Sequence, residues 1–147
     1  MGKRALAFVL AFVATYVLAS TAITQAGLAY LASLGREIPF GERLAAIGHD
    51  IVGMLGMFAP IVLVTMLVAY GVVALIVSRW PGLRLAGYVI GGFAGLVCVH
   101  LVIQAVFGMA PLWGARDAFG ITLQGLAGAV GGYLFARFSA NGRSATV

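Results

Sequence analysis

From Leu85 to Gly108 the chain runs for 24 residues without an Asp, Glu, Lys or Arg. At about 1.5 Å per residue such a run crosses the hydrocarbon core of a bilayer as one helix, and few soluble folds tolerate it. Within it Gly87, Gly91 and Gly95 recur every fourth residue, which puts them on one bare stripe. His100 and Gln104 are also four apart. At 100° per residue they lie about 140° and 180° around the helix from Gly95, so the polar pair points away from the glycines. One face invites a close neighbour; the other carries the most deeply placed polar pair of the chain.

Three more apolar runs surround this one. Of the 147 residues, 63% are hydrophobic and 9% charged, too little charge to cover the surface of a soluble domain. The pattern predicts an all-α, integral membrane four-helix bundle in a single domain. Its spans are expected at 5–33, 51–78, 85–108 and 121–138, with short loops, one interfacial segment at 36–49 and a tail at 139–147. The first run is longer than a bilayer needs, so it must tilt or let its last turns stand clear. A cleaved signal peptide ending near Ala26 is the rival reading of its start. Against it, apolar sequence continues through Gly27-Leu28-Ala29-Tyr30-Leu31.

Two features give the spans shape. His49, Gly53, Gly56 and Pro60 follow one stripe of the second span, where Pro60 removes a backbone donor and is expected to kink the helix. Gly125, Gly128 and Gly132 line the fourth span. Gly91/Gly95 and Gly128/Gly132 are both G-x-x-x-G spacings, so the third and fourth spans are expected to pack tightly through them. Trp80 and Trp113 stand where interfacial belt residues belong.

Cations set the orientation. With four spans, Lys3, Arg4, Arg79, Arg84, Arg137 and Arg143 fall on one side without an acid. Arg36, Arg43 and Arg116 fall on the other with Glu37, Glu42, Asp50 and Asp117. The positive-inside rule places both termini in the cytoplasm of a multi-pass cell (inner) membrane protein. The formal charge of +5 is spread in pairs at helix ends, which suits lipid headgroups rather than a nucleic-acid groove.

Chemistry-bearing residues are few. Thr21, Gln25, His49, Asp50, His100, Gln104 and Gln124 all lie toward the outer side, and together they predict a small polar cavity there. An ionisable residue within a span, here His100, is a functional candidate by its cost alone; a hydrogen bond to a neighbouring helix is the structural alternative. Haem ligation by both histidines is disfavoured, since His100 lies roughly 12 Å deeper than His49. Zinc lacks a third ligand, and the single Cys98 reads as a small buried hydrophobe. No cofactor, metal or catalytic residue is expected. The leading functional expectation is a non-catalytic accessory or structural subunit packed through glycine-striped helices. Its partners would be the bilayer and either a second copy or a larger membrane complex, with no nucleic acid. The alternative is a small oligomeric transporter or channel lined by His100, Gln104, Gln25 and Gln124.

Overall fold

The computed structural model describes residues 2–108 and 117–140. Trp113, Arg116 and Arg143 lie outside them, as does most of the expected tail. Among the described residues there is no strand. The helices are α1 (Gly2–Ser33), α2 (Phe40–Gly53), α3 (Phe58–Arg79), α4 (Arg84–Phe107) and α5 (Ala118–Phe138), with a 3₁₀ turn at Pro81–Leu83 before α4. All but α2 are long and apolar enough to cross a membrane.

The helix ends follow local chemistry. α1 stops at Gly35, whose φ of 87° only glycine adopts cheaply. There the Arg36 amide donates to Leu31 O (3.3 Å) and the Gly35 amide to Ala32 O (3.0 Å), which satisfies two carbonyls that the last turn would orphan. α5 begins at Asp117, whose Oδ1 accepts from the Gly120 amide at 2.7 Å. That cap starts the helix three residues before the expected position.

The expected second span is corrected. Residues 51–53 continue α2, the chain turns over Met54–Met57, and a new helix starts at Phe58. Pro60 is therefore the third residue of α3, not a kink inside a long span. The reason is that the first turn of any helix has amides with no intrahelical partner, so a missing N–H there costs nothing. α2 buries no residue and leans along α1.

α5 packs most extensively against α4 and next against α1, α4 also packs against α3, and the contact of α1 with α3 is the sparsest of the four. The long helices thus close a ring in the order α1, α3, α4, α5, each antiparallel to its neighbours. One end, at Arg84, gathers the starts of α1 and α4 with the ends of α3 and α5. The other end, at Asp50, gathers the reverse.

The seams of this ring are made by small residues. A Cβ on Gly92 would stand 2.1 Å from the Gly128 carbonyl oxygen, and one on Gly132 would stand 1.9 Å from Tyr88 O. On the other flank of α5, a Cβ on Gly131 would stand 1.9 Å from Thr15 Oγ1, where α1 presents buried Ala7, Ala11, Thr15 and Ala19 at every fourth position. Gly125 accommodates the Phe93 ring.

The expected glycine pairing is corrected in part. Gly87, Gly91 and Gly95 face α3: their Cβ positions would meet Val73, Val73 and Ala69 at 3.1, 2.4 and 3.0 Å. α4 meets α5 instead through the adjacent stripe of Tyr88, Gly92 and Leu96. With glycines on two flanks, α4 seats a helix on each, and periodicity read on one stripe cannot say which neighbour it serves. Cys98 is exposed rather than buried.

Outside the seams the surface is apolar along the helices: Val13, Leu67, Val68, Leu75, Ile90, Val102 and Val130 are all exposed. One substitution should have opposite signs on the two kinds of surface. Gly71 has open space around its Cβ position, so Gly71→Ala is expected to stabilise the detergent-solubilised protein by about 0.5 kcal/mol through helix propensity. Gly128→Ala pushes a methyl into backbone and is expected to cost about 1–3 kcal/mol. Thermal unfolding of both variants checks the contrast; equal shifts would contradict the packing.

Candidate functional site

Polar side chains collect at both ends of the ring. At the Asp50 end they come from α1, α2, α4 and α5. The Thr24 hydroxyl lies 2.8 Å from Asp50 Oδ2 and 3.1 Å from Ser20 O. It has one proton, and the charged, nearer carboxylate is the stronger acceptor. Tyr16 donates to Ile51 O at 2.5 Å, and Arg43 Nη1 donates to Gln25 Oε1 at 3.2 Å. His49 Nδ1 is 3.5 Å from Asp50 Oδ1, and the His49 side chain is 86% exposed. Gln25 and Asp50 are therefore used to hold α2 against α1. Thr21 and Gln104 are half-buried.

His100 and Gln124 are the polar residues of this set buried within the ring. Gln124 Nε2 donates to Ala19 O at 3.0 Å, tying α5 to α1 across a chain separation of 105 residues. His100 Nδ1 lies 2.8 Å from Leu96 O. A carbonyl only accepts, so Nδ1 carries the proton, and in the neutral ring Nε2 is left as an acceptor. The Phe58 ring meets the imidazole edge-on at 6.2 Å. His100 Nε2 and Gln124 Oε1 are both buried without a hydrogen-bond partner among the described residues. Continuing the Gly92–Gly128 register sets Gln124 opposite Leu96, one turn from the level of His100. Among the described residues no three of His, Cys, Asp and Glu stand together as a metal would require.

The Arg84 end holds a cavity that sequence reasoning missed. About 380 Å³ in volume, it opens at the mouth of the ring among all four long helices. Its floor is aromatic: Tyr70 stacks on Phe135 at 4.9 Å, and Tyr88 meets both edge-on at 5.4 and 4.8 Å. Arg84 lies over the Tyr88 ring at 5.6 Å, one helical turn before it. Its Nη2 donates to Ser139 Oγ at 2.6 Å and Ala136 O at 3.4 Å, while the Ser139 hydroxyl donates to Phe135 O. Arg4 and Ser78 complete the rim. The one available signal was the spacing of Arg84 and Tyr88. That spacing is ambiguous, because a cation at the start of a span serves topology equally well.

The pins on α2 can be tested directly. Asp50→Ala removes a charge-assisted hydrogen bond, about 1–2 kcal/mol at this part-exposed position. Hydrogen exchange of the α2 amides is expected to quicken about fivefold or more while α5 stays protected; unchanged α2 exchange would contradict the docking. Comparison with family models, curated proteins and solved structures finds no match for this chain.

Proposed function

We propose that the chain is a four-span integral membrane protein acting as a non-catalytic accessory or structural subunit, inserted in the cell (inner) membrane with the Arg84 end in the cytoplasm. The observation that carries this reading is how the polar groups are spent. Gln124 binds backbone of α1, Thr24 and Tyr16 bind α2, and His100 binds its own helix. The seams of α5 with α1 and α4 are lined by glycines and alanines, while Leu, Val and Ile are exposed along the outer faces. That distribution suits lipid as the solvent. Packing, rather than hydrophobic burial, then holds the helices together.

Charge supports the orientation. Among the described residues Lys3, Arg4, Arg79, Arg84 and Arg137 lie toward one end, and all four acids lie toward the other. A larger membrane complex or a second copy of the chain is the partner this reading asks for.

One observation favours transport as a second reading: two acceptors, His100 Nε2 and Gln124 Oε1, are buried without partners among the described residues. They would offer a relay to a permeating donor such as water or a protonated solute.

Extraction from native membranes separates these readings. The accessory role expects the protein to resist alkaline washing of the membrane and then to leave mild detergent with other polypeptides in a fixed ratio. That ratio should survive His100→Ala and fall in Gly92→Leu. A protein that emerges alone, whose His100→Ala variant abolishes a solute flux in vesicles, overturns it in favour of transport.

A further inference from the structure

The cavity at the Arg84 end has the chemistry of an anion site. Two cations, Arg4 and Arg84, border it, and none of its lining residues is acidic. Arg84 is half-buried, and among the described residues it bonds to neutral acceptors, Ser139 Oγ and Ala136 O, besides the Tyr88 ring. Among the described residues the salt bridges present join other groups, so no carboxylate offsets its charge. A sheltered cation is ordinarily paired. Tyr70 is 5% exposed and lines the cavity, and among the described residues neither its buried hydroxyl nor the buried Arg84 Nε has a hydrogen-bond partner. A guanidinium N–H only donates and a tyrosine O–H donates readily, so both unmet groups call for an acceptor. The volume falls within the range of small-ligand sites.

We propose that this cavity binds a phosphate group, with Arg84 Nε–H and Tyr70 O–H as its donors and Arg4 as the second positive charge. Arginine's planar fork suits a tetrahedral oxyanion better than a point charge would. Two sources share this chemistry: the headgroup of an anionic phospholipid, or a soluble phosphate. Ala74 and Val77 of α3 give the cavity an apolar wall suited to an acyl chain. The lipid source rests on the membrane reading above; the phosphate chemistry does not.

The test uses the full chain in two settings. In neutral detergent it is titrated with inorganic phosphate, with chloride at matched ionic strength as control. In nanodiscs, phosphatidylcholine alone is compared with equal parts phosphatidylcholine and phosphatidylglycerol. Thermal stability and native mass spectrometry read binding. Tyr70→Phe keeps the ring and removes one hydroxyl, and Arg4→Gln changes an exposed side chain, so both variants fold. Each is expected to weaken binding, Tyr70→Phe by about tenfold. Tyr70→Phe should also raise the melting temperature of the ligand-free protein, because it deletes an unmet buried group. Binding of phosphate in detergent points to a soluble source, and binding of phosphatidylglycerol alone points to the headgroup. No binding above the controls, or binding that neither variant weakens, overturns the site whether or not the protein proves to be membrane-inserted.

Discussion

The fold depends on backbone meeting backbone along α5. At Gly128 and Gly132 the chain of α4 comes so near that a single methyl would strike a carbonyl, and at Gly131 the Thr15 hydroxyl occupies the space a side chain would take. Such approaches maximise dispersion contacts, each worth only about 0.1–0.2 kcal/mol and significant only in sum. Every other helix is placed relative to this pair of seams. α1 and α4 are held by α5, and α3 is seated on the second glycine flank of α4.

That arrangement decides what the polar residues can do. With helices this close, a polar side chain in a seam has a backbone carbonyl from the next helix within reach, as Gln124 has Ala19. The buried polar groups at the Asp50 end therefore read mainly as fasteners. At the Arg84 end a cavity lies among large aromatic side chains, Tyr70, Tyr88 and Phe135. At the other end Phe58, Tyr16 and His100 fill the axis.

Much of this was legible in the sequence, and the misses have physical causes. Long uncharged runs specify long helices, because neither length nor apolarity depends on the neighbour. The break at 54–57 was missed because the apolar run continues through it, whereas α2 is held to α1 by Thr24, Tyr16 and Gln25, partners distant in sequence. Reading Pro60 as a kink assumed a helix already under way; where a helix begins decides whether a proline disrupts it. Gly91 and Gly95 marked a packing face correctly but not its occupant. Gly92, with no glycine four residues before or after it, carries the α5 contact outside any G-x-x-x-G spacing. The Arg84 cavity needs four helices to exist at all, so no single segment encodes it.

The most direct test of the account is a through-space contact map of the glycines by solid-state NMR, on the full chain with labelled glycine Cα reconstituted in bilayers. The account requires a Gly92–Gly128 contact, with Gly91 and Gly95 in contact with Val73 and Ala69 of α3. A map in which Gly91 or Gly95 instead touches Gly128 or Gly132 would contradict it.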